Sequence, residues 1–562
     1  MLTLLVCMLL HAGEKPAPLP GSAELLALME RDSAVDRHLA TLCEEHAPRL
    51  TGSLAYDRAA QWCLEQFQSY GLSAKLEVFG EFPVRFDRGV QRGVLHKGGA
   101  APLELDFLTR SWTRGTSGVE RGPAVLEPGS AEELERDAAR FVGAWIIKPQ
   151  SRSENRALAK LLEDAYAQHK PLGFVRSGRK GGLLVMNGDH RVRYEELDTK
   201  RRNVEITLRE DQYSALVADL VAGVECQLEF EIENRFRPGP VPCTNVVAEW
   251  RGAEKPEEFV LVGAHLDTWD GAQGAQDNGT GVATTLEAAR VIAKLGIRPR
   301  RSIRFVLFGG EEQGLFGSEA YVREHADALE RCSAVLIHDG GASPLAGLKA
   351  SYAMVPELER VFAPLAGLDP ARPVRVEEVL GLENSGDSDH APFLSGKRPT
   401  PAFFWEQSGA GYTRVHHTQH DRLDSVDPDD QRHNARVVAL AAFAIAQLEN
   451  PLDRTDMQPL SRRLLGVGSL EGAVVGEVRA NGVAAKAGWQ AEDRVLAIDG
   501  VAVKSRDEIV LLLQQGGSVK LAKLARGDQM LETRLDWSQD PVEAERAARA
   551  LRREAWLRAG AK

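Results

Sequence analysis

Three short apolar segments of this chain each end in acidic residues or histidine, and this pattern limits the fold more than any other feature. Continuous apolar runs of this length, separated by helical patterns, are typical of parallel strands covered on both faces. In such sheets, ligands bind at the carboxyl ends of the strands. The segments and their polar ends are residues 259–264 with His265 and Asp267, residues 302–308 with Glu311 and Glu312, and residues 333–337 with Asp339. The sequence therefore predicts an α/β fold, with one pocket at the edge of a mostly parallel sheet flanked by helices.

Several of these polar residues, together with two from other segments, are of the types that bind zinc. Zinc takes imidazole nitrogen and carboxylate oxygen in roughly tetrahedral geometry. Two ions about 3.5 to 4 Å apart can share a carboxylate and a water molecule. The candidate ligands are His265, Asp277, Glu312, Asp339 and His417. The sequence thus predicts a site for two Zn²⁺ ions that contains no cysteine.

Spacing in the sequence suggests which residues support the metal ligands. His265 and Asp267 are two positions apart, so they share a face of an extended chain. We predict that His265 binds metal while Asp267 holds the imidazole ring. The adjacent Glu311 and Glu312 cannot point the same way, so we predict Glu312 as a ligand and Glu311 as the general base. A carboxylate beside an activated water is the natural base, and a like-charged neighbour keeps its proton affinity useful.

Each of these motifs also has a structural interpretation when it is taken alone. A His-x-Asp sequence occurs by chance at strand ends, adjacent glutamates are usually solvated, and a single aspartate such as Asp339 usually belongs to a turn or a helix cap. Ser388, Asp389 and His390 are predicted to form a loop that supports the pocket wall. His390 is a weaker candidate for a catalytic group.

The order of the motifs resembles that of peptidase family 28 of the metallopeptidases over most of residues 20–450. The matching stretches are residues 263–270, 274–281, 308–314, 338–341, 388–393 and 416–421. The resemblance implies a zinc exopeptidase fold in which Asp277 bridges two zinc ions and Glu311 activates the water between them. It also implies that His265 and Asp339 complete one metal site, that Glu312 and His417 complete the other, and that the Asp277-Asn278 peptide bond is cis.

One position departs from the family pattern. Some relatives have tyrosine immediately before the last metal ligand, whereas this chain has His416. His416 is therefore a candidate for supporting the tetrahedral oxyanion of the reaction.

The resemblance also divides most of the chain into domains. Residues 20–120 and 236–455 are expected to form the peptidase domain, and residues 121–235 interrupt it with short strand candidates. This insert is similar to the β-rich protease-associated domain that the family carries at the same place. We expect it to cover the cleft and limit substrate length, with an inert insertion as the alternative.

Residues 460–537 look like a PDZ domain, because their glycines stand in the right order with a helical pattern at residues 506–513. Such domains add a peptide strand to a sheet edge and hold its terminal carboxylate in backbone amides. The candidate carboxylate loop is Leu464, Leu465, Gly466 and Val467. A domain that only packs is the structural alternative. Residues 541–562 are predicted to form a C-terminal helix.

Composition excludes several classes of protein. At 562 residues the chain is too long for one core, and 43% hydrophobic with 27% charged residues is ordinary for a globular protein. The net charge of −12, with no basic stripe interleaved with aromatic residues, argues against nucleic-acid binding. After the N-terminus, no run approaches the roughly 20 apolar residues of a membrane span.

Residues 1–13 form an apolar run of signal-peptide length, which predicts export to a secreted or periplasmic location, although it lacks a basic start. A frayed apolar terminus is the alternative. A disulfide between Cys43 and Cys63, or between Cys226 and Cys243, is compatible with export, but the sequence does not pair these residues.

The candidate zinc site and the apolar N-terminus predict an exported enzyme with two Zn²⁺ ions. The resemblance implies that this enzyme is an exopeptidase, which we expect to act at the free amino end of short peptides or dipeptides, although the sequence shows no recognisable amine-binding group. Within enzymes, the alternative is a carboxypeptidase for acidic or glutamyl tails, which needs an arginine clamp that the sequence does not reveal. Outside enzymes, the alternative is a non-catalytic peptide-binding protein on a peptidase scaffold. A peptide C-terminus is the expected partner of the PDZ-like domain.

Overall fold

The computed structural model describes residues 18–150, 155–196, 204–395, 399–407, 409 and 411–560. The predicted signal peptide, residues 1–13, lies outside the described residues. Within the described ranges the chain divides into two compact units. The first is drawn from Met1–Lys349, Met354–Glu377 and Asn384–Arg454, and the second from Ala350–Ala353, Glu378–Glu383 and Thr455–Lys562.

The first unit begins with three helices and a long strand. The side chain of Ser53 accepts a hydrogen bond from the backbone N–H of Tyr56 at 3.0 Å, which caps the third helix. This helix ends before Gly71, whose φ of +86° suits glycine. The elements are α1 (Ser22–Arg31), α2 (Val35–Glu44), α3 (Leu54–Ser69), β1 (Ser73–Lys97), β2 (Leu103–Glu104) and β3 (Phe107–Thr109).

The insert that follows alternates strands and helices. The elements are β4 (Val119–Leu126), α4 (Ala131–Asp137), β5 (Trp145–Ile147), α5 (Arg156–His169), β6 (Gly173–Ser177), β7 (Val204–Leu208) and α6 (Glu210–Val221). Strands β4 to β7 pair in parallel, and β3 runs antiparallel to β7. The insert therefore places helices between its strands, in addition to the β-rich structure that was predicted. Its assignment as a protease-associated domain stays a prediction.

The rest of the first unit builds the main sheet and its covering helices. The elements are β8 (Cys226–Trp250), β9 (Lys255–His265), α7 (Thr280–Leu295), β10 (Arg301–Phe308), α8 (Phe316–Glu324), α9 (Ala326–Leu329), β11 (Cys332–Ile337), β12 (Leu345–Ser351), α10 (Val355–Phe362), β13 (Arg375–Val379), α11 (Ala391–Leu394), β14 (Ala402–Phe404), β15 (Glu406–Gln407), α12 (Gly411–Val415) and α13 (Pro428–Gln447). The three predicted strands are β9, β10 and β11. They lie in parallel in the order β11-β9-β10, and β14 extends this core beyond β11.

The register of the core strands brings their carboxyl ends together. Phe308 of β10 lies beside His265 of β9, and Ile337 of β11 lies beside Gly263. The predicted α/β class with a mostly parallel core is thus confirmed. Strand β8 runs across residue 235, where a boundary between the insert and the peptidase domain was predicted. Because β8 pairs with β1, β4 and β10, it joins both parts in one sheet.

The second unit contains a small sheet, three helices and a core around Val475, Trp489 and Ile498. Ser505 and Glu508 form a capping box that starts its longer internal helix. The elements are β16 (Leu470–Glu471), β17 (Val474–Val475), α14 (Val483–Lys486), β18 (Arg494–Ile498), β19 (Val501–Ala502), α15 (Arg506–Gln514), β20 (Val519–Arg526), β21 (Gln529–Asp536) and α16 (Pro541–Gly560). Helix α16 covers the described part of the segment that was predicted to form a C-terminal helix.

Helix α16 binds other segments of the second unit. The guanidinium of Arg549 donates to the backbone oxygen of Leu380 at 3.0 Å, and the ring of Trp556 lies 5.6 Å from that of Tyr352. The buried Arg463 pairs with Glu543 at 2.5 Å. The helix therefore gathers chain segments that lie far apart in the sequence.

The described cysteines carry free thiols. Cys43, Cys63, Cys226, Cys243 and Cys332 are all buried and unpaired. Neither of the two candidate disulfides is formed. In the part of the chain that the structure describes, no helix combines the length and the apolar character needed to cross a membrane.

Candidate active site

Three predicted ligands meet at the carboxyl ends of β9 and β11. His265 is the last residue of β9, and its Nε2 lies 2.9 Å from Oδ1 of Asp339 and 3.1 Å from Oδ1 of Asp277. All three side chains are buried, and their ligand atoms lie within 4.8 Å of one another. Neighbouring parallel strands end at the same edge of a sheet, so residues separated by more than 70 positions converge here.

The other two predicted ligands lie on the opposite side of Asp277. Nε2 of His417 is 2.8 Å from Oε2 of Glu312 and 3.1 Å from Oδ2 of Asp277. The two carboxylate oxygens of Asp277 therefore each face a different histidine, as a bridging carboxylate requires. The peptide bond between Asp277 and Asn278 is cis, which confirms the prediction.

His416 lies directly beside the second group. Its ring centroid is 3.8 Å from that of His417, and its Nε2 is 3.7 Å from Oδ2 of Asp277. Its side chain is 43% exposed, so it faces the open side of the site. The ligand atoms of Asp277, His416 and His417 lie within 4.8 Å of one another, so His416 is close enough to bind metal itself.

Asp267 supports the site through different atoms from those predicted. Nδ1 of His265 lies 2.9 Å from the backbone oxygen of Asp267, whereas the carboxylate is 3.7 Å from the ring. That carboxylate instead accepts the backbone N–H groups of Glu311 and Glu312, each at 3.3 Å. The carboxylate of Asp267 points toward Glu311 and Glu312 because the backbone N–H groups that follow β10 need hydrogen-bond acceptors. Asp267 thus holds the imidazole with its main chain and the two glutamates with its side chain.

Burial and crowding of negative charge change the acidity of the site. Burial raises the pKa of Glu311 well above its usual range, and the charges of Asp339 and Asp389 add to this effect. Burial and the charge of Asp277 raise the pKa of Glu312 to about 8. Burial opposes the charging of His417, but Glu312 and Asp277 outweigh it and raise the pKa of His417 to about 10. The site therefore has a surplus of acidic groups that favours a bound cation.

The donor atoms of the site fit zinc. Among the described residues, Oε1 of Glu312 and both carboxylate oxygens of Asp389 are buried without a hydrogen-bond partner. Buried oxygens of this kind normally have partners, and a metal ion can supply the missing interaction for a ligand such as Glu312. Two imidazoles and three carboxylates match the ligand types that zinc prefers, and no cysteine is needed.

The loop at residues 388–390 forms part of the wall around this site. Ser388 and Asp389 are fully buried, and the ring of His390 lies 5.4 Å from that of Phe404. This placement agrees with the predicted supporting role. His390 packs against an aromatic side chain, and its buried Nδ1 has no hydrogen-bond partner in the described structure.

A buried arginine that no sequence motif marked as functional holds the loop before Asp277. Arg49 is fully buried, and its guanidinium donates to the backbone oxygens of Leu266 at 2.9 Å, Gln273 at 3.0 Å and Gly274 at 2.7 Å. One side chain thus links the end of β9 to the loop that leads to Asp277. Arg49 stands four positions before Ser53, in a stretch that resembles the N-terminal signature of the family, which was the available signal.

Asp421 holds the same loop from its other side. Its carboxylate accepts the backbone N–H groups of Gln276 at 2.6 Å and Asp277 at 3.2 Å. Asp421 belongs to the matching stretch at residues 416–421, four positions after His417. It therefore connects the segments that carry two of the predicted ligands.

The candidate carboxylate loop of the second unit has the backbone shape that glycine permits. Gly466 has a φ of +80°, and a Cβ atom there would lie 2.4 Å from the Cα atom of Gly482. The backbone oxygen of Leu465 accepts the N–H of Ala484 at 2.8 Å, and the side chain of Leu464 is largely exposed. Peptide binding by this loop stays a prediction.

The fold and the arrangement of histidines and carboxylates are typical of a metallopeptidase, and comparison with known proteins shows which family models the chain matches. Residues 245–442 match the model of peptidase family M28, and residues 474–526 match that of a PDZ domain. The chain thus carries a peptidase family M28 domain followed by a PDZ domain, and the resemblance is confirmed.

Named relatives match this chain over more residues than the peptidase family model does. The chain is 27% identical to carboxypeptidase Q of Homo sapiens over 442 residues, which cover 74% of this chain and 86% of that protein. It is 22% identical to aminopeptidase YwaD of Bacillus subtilis (strain 168) over 427 residues, covering 73% and 84%. A peptidase M28 precursor of Shewanella amazonensis SB2B has a similar fold, with 24% identity and a TM-score of 0.55 over 78% of this chain and 98% of that one.

Proposed function

We propose that this protein is an exopeptidase with two zinc ions that removes a residue from the free amino end of short peptides or dipeptides. One observation carries the choice of the amino end. In the described structure, the carboxylates of Asp277, Glu312 and Asp339 form ion pairs with histidines and with no arginine or lysine. A peptide carboxylate would need a positively charged side chain to bind it, and these ion pairs include no lysine or arginine.

The ligand roles follow from the two groups around Asp277. Asp277 would bridge the ions, with His265 and Asp339 on one and Glu312 and His417 on the other. When bound, zinc polarises the scissile carbonyl and makes the attacking water a better acid. His416 lies on the open side of the site, where its imidazole can donate a hydrogen bond to the oxyanion.

Glu311 is the proposed general base. It accepts a proton from the attacking water and passes it to the nitrogen of the leaving amine. The backbone hydrogen bond to Asp267 holds Glu311 in place for both transfers.

A carboxypeptidase is the second candidate, and it is favoured by the similarity to human carboxypeptidase Q. The two candidates differ in the end group that a substrate needs. We would measure hydrolysis of one peptide series in three forms, namely free, acetylated at the amino end and amidated at the carboxyl end. Our proposal requires that acetylation abolishes hydrolysis and that amidation is tolerated. The opposite pattern would establish the carboxypeptidase, and no hydrolysis by the zinc-loaded protein would favour a binding protein.

Two further assignments complete the proposal. Residues 464–467 would bind the carboxylate of a peptide C-terminus, which isothermal titration with apolar C-terminal peptides and their amides would test. Residues 1–13 would direct export, and N-terminal sequencing of the protein from its natural cell would show whether they are removed.

A further inference from the structure

The segment that carries His417 is bound by the insert, and we propose that Gln419 is a positioning residue through which the insert holds this zinc ligand. The insert is then a part of the metal centre, in addition to any role as a cover of the cleft. This inference rests on the proposed zinc site. Three contacts between residues 182–186 and residues 417–419 carry it.

The first contact acts on the backbone of His417. The backbone N–H of Met186 donates to the backbone oxygen of His417 at 2.8 Å, and Val185 forms an antiparallel bridge with Thr418. His417 has a φ of +55°, which is uncommon for a residue other than glycine. Such a conformation persists where the surrounding structure enforces it. The short bridge to the insert is one such constraint.

The other two contacts use both ends of one amide side chain. The side-chain oxygen of Gln419 accepts the backbone N–H of Leu184 at 2.8 Å. Its Nε2 donates to the backbone oxygen of Gly182, also at 2.8 Å. Gln419 therefore satisfies two backbone groups of the insert at once, and it stands two positions after the ligand.

The loop that carries Asp277 binds the other end of the same segment, at Asp421. Asp421 binds the backbone N–H groups of Gln276 and Asp277, so residues 417–421 are fastened to the insert at one end and to the bridging aspartate at the other. His417 lies at the end that the insert holds. Loosening the insert contact should therefore release His417 before it disturbs His265 or Asp339, which lie on strand ends of the main sheet.

The test compares two glutamines with the same bonding pattern. Gln212 also accepts a backbone N–H, from Asp106 at 2.8 Å, and donates to a backbone oxygen, that of Glu104 at 3.0 Å, but neither of these hydrogen bonds reaches the segment of His417. We would prepare Gln419→Ala, Gln419→Glu and Gln212→Ala in the full chain. Zinc affinity would be measured by competition with a chromophoric chelator, and the melting temperature of the zinc-free proteins would be recorded.

We expect Gln419→Ala to bind one of its zinc ions about 10-fold more weakly, which is the lower end of the usual effect of a residue that orients a metal ligand. Gln419→Glu keeps the acceptor for Leu184 and should fall between Gln419→Ala and the unaltered protein. Gln212→Ala should bind zinc normally, and the zinc-free melting temperatures of Gln419→Ala and Gln212→Ala should fall by similar amounts, because each variant loses one backbone acceptor and one backbone donor. Turnover by Gln419→Ala should fall at limiting zinc and recover with added zinc.

The proposal is overturned when Gln419→Ala keeps the zinc affinity of the unaltered protein, or when Gln212→Ala loses as much. Equal loss in both variants would mean that the insert acts only through general stability. Zinc affinity is measured without substrate, so a failure of the amino-end specificity would leave this result standing. A failure of the unaltered protein to bind zinc would instead reject the proposed metal centre itself.

Discussion

Buried charged groups have different partners at the amino ends and at the carboxyl ends of the parallel strands in the main sheet. At the amino ends, the fully buried Arg301 pairs with Glu258 at 2.7 Å and donates to the backbone oxygens of Leu448 and Glu449. The guanidinium of Arg301 therefore has a carboxylate and two backbone oxygens as partners. At the carboxyl ends, acidic groups outnumber basic ones, and Glu312 and Asp389 keep buried oxygens without partners in the described structure.

This difference separates the parts of the molecule that support the fold from the parts that act. A buried charge with a complete set of partners is compatible with folding, whereas a carboxylate without partners lowers stability. A protein keeps such a cost where the groups serve a ligand or a reaction. The carboxyl ends should therefore control zinc and turnover, and the amino ends should control stability alone.

The largest expected effect is that of Glu311→Gln, which should keep zinc and lose about 10² to 10⁴ in kcat. The amide fills the same space but accepts no proton. Glu258→Gln changes a glutamate at the amino end in the same way and should leave kcat nearly unchanged. Dipeptide turnover and zinc content would be measured on both. Loss of zinc from Glu311→Gln would make Glu311 a ligand instead of the base.

Asp277→Ala should lose at least one zinc ion, because each oxygen of Asp277 faces a different ligand histidine. Asp339→Ala removes a carboxylate from one group alone, so it should retain the ion held by Glu312 and His417. Elemental analysis after dialysis would measure the zinc content of both. Two ions retained by Asp277→Ala would remove this residue from the metal centre.

A smaller effect, on zinc affinity, should distinguish the two buried arginines Arg49 and Arg301. Arg49→Met and Arg301→Met each leave backbone oxygens without a donor, so both should lower the melting temperature. Only Arg49→Met frees the loop that leads to Asp277, so only this variant should also bind zinc more weakly, by about 10-fold. Calorimetry and chelator competition would measure both quantities. Equal zinc affinity in the two variants would place Arg49 with the residues that support the fold alone.

The smallest effect on catalysis should come from the PDZ unit. Leu464→Glu adds a negative charge within the candidate carboxylate loop at a largely exposed position, so it should weaken the binding of apolar C-terminal peptides. Dipeptide turnover should stay within about twofold, because all predicted metal ligands lie before residue 420. Titration calorimetry and a dipeptide assay on one sample would compare the two. A large fall in turnover would contradict this division of labour.

Much of the site was readable from the sequence because its signals are local. The strands at residues 259–265 and 302–308 follow from continuous apolar runs, and the ligand types follow from the polar residues at their ends. The division into a peptidase part and a PDZ part was readable for the same reason. His265, Asp277, Glu312, Asp339 and His417 come together as predicted.

Contacts between distant segments decided the rest. Spacing placed Asp267 and His265 on one face, but the amides of Glu311 and Glu312, more than 40 positions away, determined where the carboxylate of Asp267 points. Arg49 is one arginine among many until the fold buries it against carbonyls more than 200 positions later. No local pattern contains such information.

The sequence by itself determined which residues can bind zinc, which segments become strands and where the PDZ unit begins to differ from the peptidase part. Residue chemistry and periodicity are properties of a short stretch of chain, so they can be read without a fold. Tertiary structure alone decided that His416 lies within reach of metal, that the five described cysteines stay unpaired, and that the insert binds the segment of His417. These outcomes depend on distances between parts of the chain that only packing brings together.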